Sequence, residues 1–224
     1  GLGVAAQERW MRAWAAPMFR SARWYAETGQ ETKYDWADDM GAAAFAEAQE
    51  VMDAAEAHPS GRLSALVSPA QVDTCTEDLL VRSAELARST GRPLHTHGAQ
   101  GYPEFNQMAR RNDMTPVEWL HEIGFLGPRT IIGHAVFTDE HPWLHWPHRR
   151  DLALLAETGT SVAHCPTPFA RDGTVMHHLG AYMDAGVNIA IGTDTHPQNL
   201  FEEMATAETL ARIAAGQRHS CTTA

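Results

Sequence analysis

Residues 130–164 read TIIGHAVFTDEHPWLHWPHRRDLALLAETGTSVAH. Two short apolar runs, Thr130–His134 and Thr160–His164, flank a helical stretch at Asp151–Glu157, and each run stops on a histidine. Strand, helix and strand in that order make a βαβ unit, whose two strands must run parallel. Downstream the alternation continues. Met176–Ala185 reads as a helix ended by Gly186, Val187–Thr193 (VNIAIGT) as the strongest strand, and Asn199–Ala215 as the last helix. Upstream, Thr115-Pro116-Val117-Glu118 has an N-cap followed by proline at the first helical position. Pro93–His97 is a short strand, and Thr76-Glu77-Asp78-Leu79 opens a helix that Gly91 closes. Leu63–Val67 reads as a strand, Asp39–Ala57 as a helix halted by His58-Pro59-Ser60-Gly61, and Met11–Pro17 as an alanine-weakened strand. The fold class is therefore α/β, a parallel sheet covered by helices. No Pro/Gly/Ser-rich linker divides residues 1–224, which read as one domain.

Composition narrows the function. The 224 residues carry 44% hydrophobic and 20% charged side chains, enough for a sizeable core. A net charge of −11 disfavours a sequence-independent grip on nucleic acid, and no apolar run is long enough for a membrane-spanning helix. Neither nucleic acid nor membrane is an expected partner. The three cysteines, Cys75, Cys165 and Cys221, are widely spaced and form no CxxC, which points to a reducing, cytoplasmic location. No basic region followed by an apolar core marks a secretory signal at the N-terminus, and the first residue is glycine, as in a piece of something longer.

The polar residues at strand ends carry the chemistry. His97, His134, His164 and Asp194 stand at the C-terminal ends of expected strands, 37, 30 and 30 residues apart, each interval close to one strand–helix unit. In a closed barrel of parallel strands such positions meet at one mouth. Imidazole and carboxylate suit Zn²⁺ or Fe²⁺, and such a site can make hydroxide near neutral pH. His95 and His97 lie two apart on one strand and so face the same side. By spacing, His95, His97, His134 and Asp194 form a four-donor set, with His95 alternatively an interior residue one layer below the mouth. Cys165 neighbours His164 but points to the opposite face, which disfavours a Cys–His nucleophilic pair.

Four segments occur in order: Leu94-His95-Thr96-His97 with Gln100 three residues on, Ile132-Gly133-His134-Ala135, Val162-Ala163-His164-Cys165-Pro166, and Ile191-Gly192-Thr193-Asp194. With Ser68-Pro69 and Thr74-Cys75-Thr76, they resemble the amidohydrolase superfamily, in its branch of cytosine, guanine and adenosine-type deaminases and triazine hydrolases. The resemblance runs from about Ser68 to Glu203 and implies a TIM-type (β/α) barrel. It also implies a divalent metal, zinc or iron, and hydrolysis of C–N or related bonds of a small heterocycle or amide by metal-activated water. It makes His97 the fifth-strand metal ligand, His134 the sixth-strand residue that orients or polarises the substrate, and Asp194 the eighth-strand aspartate that binds metal and shuttles the proton. His134 is a further candidate donor, and His164 a pocket or structural residue.

Two departures from the family pattern matter. Residues 1–60 contain no HxH, which the family carries on its first strand. The barrel is thus expected to be incomplete, comprising about the third to eighth strands and lacking the β-sandwich. Gln100 stands where the deaminases have glutamate. An amide contacts substrate but cannot pass a proton to a leaving ammonia, so amide, alkylamine and chloride departures gain ground over ring deamination. The alternatives are a catalytically incomplete fragment or pseudoenzyme, and a metal- or small-molecule-binding module without turnover. An open barrel would also expose unpaired edges and self-associate into homo-oligomers.

Other residues allow two readings. The His141–His148 stretch, HPWLHWPH, is either a substrate-facing aromatic wall or a loop tucked onto its own helix. Trp24, Tyr25, Tyr34 and Trp36 form a lid or a buried packing unit. Asp139 reads as a loop or helix-start acid, His177-His178 as solvated surface, and His196 as a pocket residue or, with Thr195, a cap.

Overall fold

The computed structural model describes residues 11–28, 31–196 and 198–216; Cys221 lies outside them. The described residues divide into two compact units, one running to Thr96 with Ile123–Phe125, the other from His97 to Glu122 and from Leu126 on.

In the first unit, β1 (Ala13–Ala15) pairs with β5 (Leu63–Ala65) and β2 (Met18–Phe19) with β6 (Ser68–Pro69), both parallel. The Met11–Pro17 run contributes only its three central residues to β1. Two further strands, β3 (Ala22–Tyr25) and β4 (Lys33–Trp36), form an antiparallel hairpin. Composition did not reveal this hairpin as strand, and its aromatics are not a buried unit: Trp24, Tyr25 and Trp36 are exposed. The helix α1 (Asp38–Glu56) buries Gly41, Phe45, Ala48, Met52 and Ala55, a stripe at alternating steps of four and three. Gly41 permits close approach, since a Cβ there would lie 2.7 Å from Ser21 Oγ. Phe45 meets Phe19 edge-on at 5.0 Å. In α2 (Glu77–Thr90), Thr76 Oγ1 accepts from Leu79 N and Gly91 closes the helix at φ 71°. The buried guanidinium of Arg92 donates to both carboxylate oxygens of Glu56 and to Asp53, tying α1 to the start of the next strand.

That strand, β7 (Leu94–Gly98), heads the sheet that organises the second unit, ordered β10-β9-β8-β7. β8 is Thr130–His134, β9 Ser161–His164 and β10 Ile189–Ile191. β9 runs parallel to both neighbours, Gly133 opposite Ala163 and Ile191 opposite His164. The helices are α3 (Tyr102–Asn112), α4 (Pro116–Glu122), α5 (Asp151–Thr158), α6 (Pro166–Arg171), α7 (Leu179–Asp184) and α8 (Leu200–Ala215). The strand expected over Val187–Thr193 shrinks to three residues because Val187 N donates to Tyr182 O, closing α7. The helix expected over Met176–Ala185 starts only at Leu179, with His178 as its cap residue. Two helices, α3 and α6, were not expected; both begin at a proline in the first turn, a start signal that sat too close to Gly101 and Cys165 to be read as helical. No described helix is long and apolar enough to cross a membrane.

Candidate functional site

Because β8, β9 and β10 are parallel and in register, His134 and His164 end their strands along one edge of the second unit's sheet, and Asp194 follows β10 by three residues. His97 occupies the same end of β7. The four strand-end residues singled out by spacing therefore share one edge of one sheet.

Their surroundings differ. The imidazole of His134 is buried and lies against the His97 ring, centroids 5.1 Å apart and planes 19° from parallel. The Phe169 ring meets it on an inclined geometry at 4.9 Å and 62°. His164 is 2% exposed, its Nδ1 has no hydrogen-bond partner, and burial lowers its pKa to about 4, so it is a neutral imidazole. Asp194 is exposed, its carbonyl accepting from Gln198 Nε2. Burial pushes the Cys165 thiol up to about 11, with Asp194 and Glu203 adding to the effect, so no thiolate nucleophile forms near neutral pH.

The backbone is strained at these positions. Non-glycine residues with positive φ include His134 (78°), Ala135 (46°), Asp194 (49°) and Ala99 (51°), which sits between His97 and Gln100. Left-handed backbone at such residues persists only where surrounding structure holds it, and it gathers at functional sites. The holding groups are visible. Ala135 N donates to Gly98 O and Phe137 N to Ala99 O, while Tyr182 Oη donates to Ala135 O at 2.6 Å. The buried Glu104 carboxylate accepts from Ala99 N at 2.6 Å and Gln100 N at 2.9 Å. Glu104 went unnoticed in sequence, although a glutamate three residues after Gly101 is the reaching-back half of a helix-start motif. Glu203 was missed as well. It is fully buried on α8, and its Oε2 accepts from Thr167 N at 3.0 Å, fixing the turn after β9.

His95 belongs to the first unit, where its Nδ1 lies 3.2 Å from Ser68 Oγ. The His141–His148 loop is buried at His141, half-buried at Leu144 and Trp146, and exposed elsewhere. His141 is 1% exposed and stacked on Phe137 at 4.3 Å, Trp146 meets Phe105 edge-on at 5.3 Å, and Trp143 points outward. His177 is not a solvated surface residue, since its ring packs edge-on against His141 at 4.9 Å. Burial, then the neighbouring His177 and His178, lowers the His141 pKa to about 4. Asp139 is a helix-start acid, fully buried, its Oδ2 accepting from Arg150 N and Asp151 N. Thr195 and His196 do not cap the last helix: Asn199 Oδ1 does so, accepting from Phe201 N and Glu202 N, and His196 Nδ1 instead faces Arg171 at 2.8 Å.

The donor types at the edge suit zinc or iron, but their number in one place does not make a shell. Among the described residues, no three His, Cys, Asp or Glu side chains converge as metal donors. The stacked rings of His97 and His134 reinforce the point, because an ion in the plane of one imidazole lies out of the plane of the other.

Residues 11–224 match the sequence pattern of the amidohydrolase family. A 5'-deoxyadenosine deaminase of Methanothermobacter thermautotrophicus is 31% identical over 156 residues, 68% of this chain and 34% of that protein. Among solved structures, an adenosine deaminase from Xanthomonas campestris with bound zinc superposes with a TM-score of 0.78 at 23% identity, covering 98% of this chain and 46% of that one. The atrazine chlorohydrolase of Arthrobacter aurescens complexed with zinc gives 0.71 at 22%, covering 95% and 45%. These structural likenesses are ones of α/β fold. The chain spans less than half the length of each of these relatives.

Proposed function

The chain belongs to the amidohydrolase family, and from that premise we propose that it is all or part of a hydrolase that cleaves C–N or related bonds of a small heterocycle or amide. The observation that supports this best is the gathering of polar residues on left-handed backbone at one sheet edge: buried His134 at φ 78°, its ring against those of His97 and Phe169, with exposed Asp194 at φ 49° in the loop after the strand two places away. We read residues 1–224 as one incomplete barrel domain of TIM type.

A divalent ion, zinc as in the two solved relatives or iron as its alternative, would be held by His97 and Asp194. When bound, it would supply the lowered water pKa that hydrolysis at neutral pH needs. Too few donors converge among the described residues to complete its shell. The chain's own residues do the following. His134, buried and oriented by two rings, donates a hydrogen bond to the substrate atom that gains negative charge. Asp194, exposed on its loop, takes a proton from the attacking water and returns it to the leaving group. Gln100, its backbone pinned by Glu104, hydrogen-bonds a carbonyl or ring nitrogen but carries no proton across. That limitation favours departures that need no proton from this position.

The test is a panel of amino-, alkylamino- and chloro-heterocycles and simple amides, with ammonia, amine and chloride release measured for the chain and for Asp194→Asn and His134→Ala. Turnover abolished by Asp194→Asn supports the reading. Metal held at about one ion per chain and lost in His97→Ala, with no turnover of any substrate, replaces it with a binding module. Neither metal nor turnover leaves a catalytically incomplete fragment.

A further inference from the structure

We propose that Tyr182 is a positioning residue for His134: its hydroxyl, reaching from α7, holds the strained turn that carries the imidazole. The inference rests on the reading of His134 as the substrate-orienting group and adds the device that fixes its orientation.

His134 is the central residue of a γ-turn. Ala135 N reaches back to Gly133 O at 3.2 Å across a φ of 78° at His134, and Ala135 is left-handed again at φ 46°. A γ-turn of this hand is rare and strained at a residue with a side chain, and it persists only where neighbours hold its peptides. Three further bonds do so. Ala135 N is shared with Gly98 O at 3.1 Å, Phe137 N donates to Ala99 O at 2.7 Å, and Tyr182 Oη donates to Ala135 O at 2.6 Å. The first two partners belong to the end of β7 and the turn after it. Tyr182 is the group that grips the carbonyl next to the imidazole.

The hydroxyl is set for one direction of bonding. Tyr182, Thr138 and Ala135 are each at most 1% exposed, so water has no access to replace the bond. A phenol carries one proton; with it on Ala135 O, Thr138 Oγ1 at 3.0 Å donates in turn to the phenol oxygen. Burial, above all, raises the Tyr182 pKa, so the donor keeps its proton at ordinary pH. The tyrosine is itself anchored: its N donates to His178 O at 3.2 Å and its O accepts from Val187 N at 2.9 Å. A buried tyrosine needs some acceptor for its hydroxyl. Here the acceptor is the peptide that follows a strained, substrate-facing residue, and a shift of about 1 Å in such a group costs rate while leaving substrate binding largely in place.

The experiment is Tyr182→Phe, which removes one oxygen and keeps the ring. NMR of the folded variant is expected to show the His134 ring signals shifted and broadened, because its contacts with the His97 and Phe169 rings loosen, while those of His58 in the first unit stay in place. For any substrate of the panel that is hydrolysed, kcat is expected to fall at least tenfold with KM within threefold. A merely structural tyrosine lowers the melting temperature but leaves the His134 signals of the folded variant unmoved, and that result overturns the proposal. If Tyr182→Phe does not fold, the unsubstituted chain decides. Its Tyr182 hydroxyl proton must exchange slowly and show a nuclear Overhauser contact to Ala135, and failure of either overturns the proposal. Shifted His134 signals with no substrate hydrolysed keep the positioning role and remove the hydrolase reading. Hydrolysis with kcat unchanged in Tyr182→Phe keeps the hydrolase and removes the positioning role.

Discussion

The chain after β8 and the chain after β10 leave the same edge of the same sheet, yet they are built differently. After His134 the backbone enters a buried stretch in which Ala135, Val136, Phe137, Thr138, Asp139 and His141 are each at most 3% exposed. Tyr182 Oη bonds the Ala135 carbonyl and lies 3.0 Å from Thr138 Oγ1, while Asp139 and Asp151 lock the entry to α5. From Gly192 to His196 the residues are half-buried or exposed, and Gln198 and Asn199 supply most of the bonds. One arm presents its imidazole from a pinned frame; the other presents its carboxylate from an open loop. The division suits the roles proposed for the two residues: an orienting group needs precision, and a proton carrier needs access to water.

The sharpest way to break the comparison is at Asp151. Its Oδ1 accepts from Thr115 Oγ1 at 2.6 Å and its Oδ2 from Asp139 N at 2.9 Å, wholly out of water. Asp151→Ala strands both donors and is expected to cost about 3 kcal/mol in urea unfolding; a loss under 1 kcal/mol would show that the β8 arm is not pinned as described.

Acid gives the next effect. His141 and His164 are held down to about 4 from 6.5, so the stability they add is present above pH 6.5 and drains as pH falls towards 4. Each is expected to remove roughly 1–2 kcal/mol between pH 7 and pH 5, and His141→Gln should flatten that part of the profile. Asp151 acts with the opposite sign. Burial, then Asp139, raises its carboxyl well above 3.8, so its contribution is present in acid and declines as pH rises through the folded value. Asp151→Asn should remove that decline while leaving the histidine limb in place.

Gly192 tests the open arm. A Cβ there would stand 2.8 Å from Cys165 Sγ, and Gly192→Ala is expected to cost about 1–2 kcal/mol. Cys165→Ala should recover most of that loss in a double-mutant cycle, and additive losses would exclude the contact. The smallest effect belongs to Asn199→Ala, which removes the cap of α8 and should cost about 1 kcal/mol. Thermal melts that rank Asn199→Ala above Asp151→Ala would invert the contrast between the arms.

The same contrast explains what sequence could reveal. Strand ends at His134 and His164 were legible because short β-branched runs stop there, and the capped α2 and α8 agree with the expected helices to within a residue. Strand ends on parallel neighbours share an edge by necessity, so their alignment followed from topology alone. The rest depended on long-range partners. Whether Val187 joins a ladder was decided by Tyr182, and whether His141 faces a pocket was decided by Phe137 and His177. Glu104 and Glu203 look like surface acids in a helix until their backbone partners at 99, 100 and 167 are known. The antiparallel β3–β4 pair has aromatic residues on the solvent side, a pattern that reads equally as lid or packing.

The left-handed backbone at His134 and Asp194 has a consequence for how such a sequence can drift. At exposed Asp194 glycine would be the more comfortable residue, and selection acting on folding alone would favour it. At His134 the same relief is opposed by the cavity that loss of a buried ring would open. A library randomised at both positions and sorted only for expression should therefore fill with glycine at 194 and keep a large side chain at 134.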